Sequence, residues 1–261
     1  MRVSGYVQRL LRAGVVNAGQ EAVWLACHAL GADTAGVIAG EFSAEECARV
    51  EGVISRRERG EPLQYILGEA DFFGRDFRVG PGVLIPRHDT ETLIEAVKLC
   101  FGREESFTFL DWGTGSGCIA ATVLLEFPES SGYVVEASAE AKCYALSNFG
   151  RLGVSERVTW CEGFPECDLT ISNPPYIPSG EIAGLMREVR EFEPVCALDG
   201  GQDGMKFYRE IFSRSRSDCI ILEAGEVRAI KALSSDYVFV NEVEDSGGFP
   251  RALIFRRQIQ Q

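Results

Sequence analysis

The chain has 261 residues, 46% of them hydrophobic, which is enough for one large domain or a medium one with a small companion, and disorder is not the default. A formal net charge of -13 and a pI near 4.8 argue against a broad phosphate-binding surface and disfavour nucleic acid as a partner. No run of 18 apolar residues suggests a membrane span, and the first residues lack a signal peptide's apolar region, so a cytoplasmic protein without a membrane partner is expected.

From Gly5 to about Arg59 the apolar spacing is helical, with Leu10, Leu11 and Val15 on one stripe and Val23, Cys27 and Leu30 on another. Ser43 and Glu46 fit a capping box that opens a helix running towards Arg59. Arg56, Arg57 and Arg59 at its end read either as a solvated terminus or as a partner contact. Around Gly60 the texture changes to alternating aromatics with Gly and Pro punctuation, predicting a β-hairpin connector. The expected domains are a helical bundle over 1–68, a hairpin linker over 69–87, and an α/β domain over 88–261.

Beyond residue 88 strands and helices alternate. Asp89 or Thr90 is expected to cap a helix whose Leu93, Ile94, Val97 and Phe101 share a face. Strands are predicted at 107–111, 133–136, 157–161, 168–172 and 218–223, with helices between them, as in a doubly wound, mostly parallel sheet. Two late segments, 237–240 and 252–255, predict an antiparallel hairpin at the sheet edge. Nine scattered cysteines without a C-x-x-C, and only His28 and His88, form neither a disulfide framework nor a metal site, so no metal is expected.

Asp111-Trp112-Gly113-Thr114-Gly115-Ser116-Gly117 sits where the first of these strands turns into a helix, the position at which α/β sheets bind nucleotides. Cys118 stands where a dinucleotide fingerprint needs glycine, and Thr114, two residues before Ser116, where a hydrolase elbow needs glycine, so neither motif is met. The tight loop suits a ligand without phosphates, with Asp111 available to the cationic amino end of S-adenosylmethionine. Glu136, ending the second strand, reads as an acceptor for ribose hydroxyls or as a solvated strand end. Glu162 reads as an acceptor for an adenine amine or as a surface charge.

Asn173-Pro174-Pro175-Tyr176 ends an apolar strand in a tetrapeptide suited to a planar NH2. Such a nitrogen is a poor nucleophile and must be held. The Asn173 side-chain carbonyl can accept one N–H and the Pro174 backbone carbonyl the other, on a chain stiffened by two fixed φ angles. Tyr176 is then either a stacking platform or a core residue.

Taken together, PLQYILGE (62–69), VLIPRHDTE (83–91), DWGTGSG (111–117), SNPPYIP (172–178) and FEPVCALDGGQDG (192–204), with Asp245, Gly247 and Arg251, resemble the HemK/PrmC peptide-chain-release-factor glutamine methyltransferases over nearly the whole chain. The resemblance implies a helical N-terminal domain that recognises substrate, a hairpin linker and a class I methyltransferase fold. It implies transfer of a methyl group from S-adenosylmethionine to the glutamine amide of the Gly-Gly-Gln motif in class 1 release factors. On this sequence it assigns cofactor contacts to Gly113–Gly117 and Glu136 and the substrate clamp to Asn173–Tyr176, with residues 84–91 covering the pocket. His88 stands where the family has proline, and Glu136 where aspartate is commoner. An adenine-N6 methyltransferase acting on DNA or RNA shares the Asn-Pro-Pro-Tyr chemistry and is the alternative enzyme. A non-catalytic docking module on an inert methyltransferase fold is the alternative of another class.

Overall fold

The computed structural model describes residues 2–233 and 236–258. Helices α1 (Val3–Arg12), α2 (Ala18–Leu30), α3 (Thr34–Ala39), α4 (Ala44–Glu58) and α5 (Leu63–Leu67) come first, followed by a small sheet of β1 (Glu69–Phe72) and β2 (Arg75–Arg78). A 3-10 turn over His88–Glu91 leads into α6 (Thr92–Cys100), β3 (Thr108–Trp112), α7 (Cys118–Glu126), β4 (Ser131–Val135), α8 (Ala139–Arg151), β5 (Val158–Trp160) and β6 (Leu169–Ser172). Then come α9 (Arg187–Phe192), α10 (Lys206–Arg214), β7 (Cys219–Glu223), α11 (Val227–Leu233), β8 (Tyr237–Glu244) and β9 (Pro250–Arg257). Two compact units result: residues up to Glu69 together with Met186–Phe192, and Ala70–Leu185 together with residues from Glu193 onwards.

In the smaller unit, Tyr6, Leu10, Leu25, Val50 and Ile54 form the buried core. The capping box is present: the Ser43 hydroxyl accepts from the Glu46 N–H, and the Glu46 carboxylate accepts from the Ser43 N–H at 2.8 Å. The basic cluster is neither a solvated end nor a free contact surface at two of its three positions. Arg57 donates to Glu21 at 2.6 Å and to Glu188 at 2.9 Å, and Arg56 pairs with Glu61 at 2.6 Å. Arg57's partners are distant in sequence and hence invisible to local reading, whereas Glu61 lies close along the chain to Arg56. Arg59 remains exposed.

The larger unit is built on a seven-stranded sheet in the order β5-β4-β3-β6-β7-β9-β8. The first five run parallel; β9 pairs antiparallel to β7, and β8 antiparallel to β9. The sheet divides its core by simple alternation, because successive strand residues face opposite sides. On β7, Cys219 and Ile221 join one core with Leu93, Ile94 and Leu124 from α6 and α7, whereas Ile220 and Leu222 join another with Tyr208, Ile211 and Ile230 from α10 and α11. Both faces are therefore covered, which is why the inner strands read as continuous apolar runs. The chain winds from β3 out to β5, then crosses back to lay β6 on the other side of β3. That reversal opens a crevice at the C-terminal strand ends.

Two local expectations are corrected. Neither Asp89 nor Thr90 caps α6: the 3-10 turn intervenes, Asp89 pairs with Arg251 at 3.1 Å, and Thr90 is buried. The late hairpin is longer than predicted, since β8 continues through Asn241–Glu244, a mostly polar stretch around the half-buried Val243 with register shifts on either side of it. The β1–β2 segment is tied into the larger unit: Asn148 on α8 accepts from the Arg78 N–H at 2.8 Å and donates to the carbonyls of Arg78 and Ser116.

Candidate active site

A cavity opens at the crevice. Its lining draws on the ends of three adjacent strands: Trp112 to Ser116 after β3, Val135 to Ser138 after β4, and Asn173 and Pro175 after β6. Leu84, Pro86, Arg87 and Thr90 from the segment before α6 form another wall. Pro194, Cys196, Ala197 and Phe207 complete it.

The glycine loop holds itself in shape. The N–H groups of Gly113 and Thr114 both donate to the Val135 carbonyl, and the Thr114 hydroxyl donates to the Asp111 carbonyl at 3.0 Å. Gly113, Gly115 and Gly117 all have positive φ, which a side chain would strain. Their reasons differ. A Cβ on Gly113 would meet nothing within 4 Å, whereas one on Gly117 would lie 2.7 Å from the Phe149 ring. Gly117 thus serves close packing of α7 against α8, and it is off the cavity wall.

Glu136 is on the wall. One carboxylate oxygen accepts from the Gly115 N–H at 2.7 Å and the other from the Ser138 N–H at 2.8 Å. An ionised carboxylate offers about four acceptor positions, so two remain for a vicinal diol. Asp111 is different: it is fully buried and absent from the wall. One oxygen accepts from the Ala120 N–H at 3.2 Å and the other has no partner. Burial, reinforced by Glu136, pushes its carboxyl up to about 7. The structure therefore does not present Asp111 to a ligand's amino group; it anchors the loop to α7. Glu162 is exposed and also off the wall, which leaves the surface-charge reading.

Asn173 and Pro175 line the cavity; Pro174 is buried between them, and Tyr176 is set back from the wall. The Asn173 Nδ2 donates to the Thr90 hydroxyl at 3.1 Å, which leaves its Oδ1 as the acceptor. A Cβ on Gly225 would meet the Tyr176 ring at 2.8 Å, so one side of that ring is covered; burial, with Glu223 close by, pushes the phenol up to about 12. The core-residue reading of Tyr176 fits this setting better than the open stacking platform.

The glycine-rich segment after Phe192 lies directly behind the tetrapeptide. Gly200 N–H donates to the Ile177 carbonyl at 2.8 Å, and Ile177 N–H to the Leu198 carbonyl at 3.0 Å. A Cβ on Gly200 would lie 2.7 Å from the Tyr176 Cα, and one on Gly204 only 2.3 Å from the Tyr176 carbonyl oxygen. Gly200-Gly201-Gln202 is thus a backbone brace for the tetrapeptide. Trp112, Phe207, Cys196 and Ala197 were missed as wall residues. Trp112 lies inside DWGTGSG and Cys196 and Ala197 inside FEPVCALDGGQDG, motifs that could have flagged them, whereas Phe207 lies outside both.

The donor set matches an adenosyl group better than a nucleotide phosphate. Arg87 is the one cationic side chain among the lining residues, and Glu193 engages it at 2.5 Å. A half-buried carboxylate and an aromatic wall fit a ribose and a base. Asp71, His88 and Glu91 bring potential ligand atoms within 4.8 Å of one another; the first two are exposed, Glu91 is half-buried and accepts from the Phe73 N–H, and all three lie apart from the cavity lining.

Comparison with known proteins is consistent along the chain. A model of the PrmC N-terminal domain matches residues 4–68. A release factor glutamine methyltransferase of Geobacter sulfurreducens is 44% identical over 212 residues, spanning 77% of this chain and 73% of the relative. Its counterpart in Nitratidesulfovibrio vulgaris is 36% identical over 276 residues, spanning 97% and 93%. Among solved structures, a methyltransferase from Pyrococcus furiosus aligns over 72% of this chain and 91% of its own at 19% identity with a TM-score of 0.50, a likeness of fold alone.

Proposed function

This chain belongs to the release factor glutamine methyltransferases, and from that membership we infer that it methylates the side-chain amide nitrogen of the glutamine in a release factor's Gly-Gly-Gln motif. Residues of the larger unit's cavity hold the reactants. Gly113–Ser116 and Glu136 would hold S-adenosylmethionine, the glycine loop along its length and Glu136 at its ribose; when bound it would supply a sulfonium methyl group, whose carbon–sulfur bond breaks to leave the thioether S-adenosylhomocysteine. The Asn173 Oδ1 and the Pro174 carbonyl accept the two N–H groups of the glutamine amide and aim its nitrogen into the cavity. As that nitrogen gains positive charge, the same two oxygens stabilise it. Positioning supplies most of the rate, no strong base is needed, and the proton leaves to water afterwards. Tyr176, packed on Gly225 as a core residue, holds the tetrapeptide's course. The helical unit, whose residues 4–68 match a family N-terminal domain, recognises the release factor.

The observation that carries this reading is the Asn173 amide, oriented by Thr90 with its carbonyl free, on the wall of a cavity whose other side bears the glycine loop. Among the described residues no helix is long and apolar enough to cross a membrane. Incubation with methyl-labelled S-adenosylmethionine and a purified release factor should label the factor. A copy whose Gly-Gly-Gln glutamine is alanine should stay unlabelled, and equal label in both would overturn the substrate assignment.

A further inference from the structure

The cavity wall carries a single cation, Arg87, and the fold holds it in place before any ligand binds. One acid ties down both the segment and the side chain. Glu193 Oε2 accepts from the Ile85 N–H at 3.2 Å, and its Oε1 accepts from Arg87 Nη2 at 2.5 Å. Glu193 is buried, and the Thr90 N–H donates to the Arg87 carbonyl at 3.1 Å, so the main chain is fixed on both sides of Arg87. The Arg87 side chain itself stays 38% exposed.

A guanidinium offers five N–H donors in a rigid fork. Glu193 engages Nη2 alone, and Nε and Nη1 have no protein partner among the described residues. An ion pair kept for stability gains little from a cation left partly open to solvent, whereas a fork with spare donors suits a second carboxylate. S-adenosylmethionine has one such group, at the end of an apolar chain that leads from the sulfonium. With the ribose on Glu136 and the sulfonium facing Asn173, the wall that remains is the segment before α6. Thr90 on that segment hydrogen-bonds Asn173 at 3.1 Å, so it adjoins the reacting position, and Leu84 and Pro86 give it apolar surface for the chain. We propose that Arg87 binds the carboxylate of the cofactor's methionine part, and that Glu193 is the residue that positions Arg87 for it. The inference rests on the cofactor reading given above.

The test is calorimetric titration of the full-length protein with S-adenosylmethionine, S-adenosylhomocysteine and decarboxylated S-adenosylmethionine, which keeps the sulfonium and the amine. Wild type should bind the decarboxylated analogue about tenfold to hundredfold more weakly than S-adenosylmethionine, the effect of a hydrogen bond to a charged group. Arg87→Met keeps an apolar stem and removes the fork. It should lose the same factor for the two ligands that have the carboxylate, yet stay within about twofold of wild type for the analogue that lacks it. Because Arg87→Met strands the buried Glu193 carboxylate, the double variant Arg87→Met/Glu193→Gln is titrated beside it and should show the same selectivity. Wild type that binds S-adenosylmethionine and its decarboxylated analogue alike, or an Arg87→Met that weakens all three ligands equally, would overturn the carboxylate site and leave the cofactor reading standing. Wild type that binds none of the three would overturn the cofactor reading itself.

Discussion

Glu136 shows how a single side chain is prepared before any ligand arrives. Two backbone N–H groups fix its plane, so a ribose diol would meet an acceptor whose rotamer is already set. Glu136→Gln should therefore weaken cofactor binding roughly tenfold to hundredfold, because one end becomes a donor facing N–H groups and two charge-assisted bonds are lost. Calorimetric titration of S-adenosylmethionine checks this; unchanged affinity would remove Glu136 from the site. The buried acids give a second prediction. Burial raises both Asp111 and Glu223 to about 7, above their unfolded values. A raised acid adds stability in full below its unfolded pKa and loses it as pH climbs through the folded one. The exposed acids held low by arginine or backbone donors, such as Asp203 and Glu191, act oppositely and matter only as pH falls towards the ordinary carboxylate range. Between pH 5 and 7 the buried pair sets the slope, so the melting temperature should fall across that range. Asp111→Asn should flatten the fall, and a melting temperature that rises with pH would contradict the burial argument.

At the level of elements, the Asn-Pro-Pro-Tyr turn keeps its course because other elements leave room for it. Gly200 and Gly204 let the segment after Phe192 run against its backbone, and Gly225, just after β7, lets Tyr176 lie flat. Gly225→Ala introduces no left-handed strain, since its φ is not positive, but sets a methyl 2.8 Å from the ring. The turn must shift, and kcat should drop roughly tenfold to hundredfold with little change in melting temperature; full activity would show that Tyr176 needs no fixed seat. The strand–turn–helix around Asp111–Gly117 and the strand ending at Ser172 were legible because apolar runs and glycine punctuation are local signals. The brace was legible only as a family pattern, since its reason is a contact across twenty-odd residues. Thr90 shows the same limit. Its sequence context suggests a helix cap, and only the fold reveals that its hydroxyl faces Asn173.

For the whole molecule, the alternation of strands and helices made the doubly wound sheet readable, and the crevice followed from the winding reversal at β3. Composition alone could not have placed Arg57 in its ion pairs or joined Met186–Phe192 to the helical unit, because both depend on partners far along the chain. With a net charge of -13 and Arg87 the one cationic side chain among the cavity's lining residues, the site proposed above suits an amide substrate better than a polyanion. The account turns on the oxygen of Asn173 gripping a flat nitrogen. Single-turnover methylation of a release factor by Asn173→Ala, with cofactor affinity measured on the same preparation, tests that directly. The rate should fall on the order of hundredfold, as for loss of one preorganised electrostatic group, while the cofactor Kd stays within about twofold because Glu136 and the glycine loop are untouched. A variant that transfers the methyl group at the wild-type rate would contradict the account.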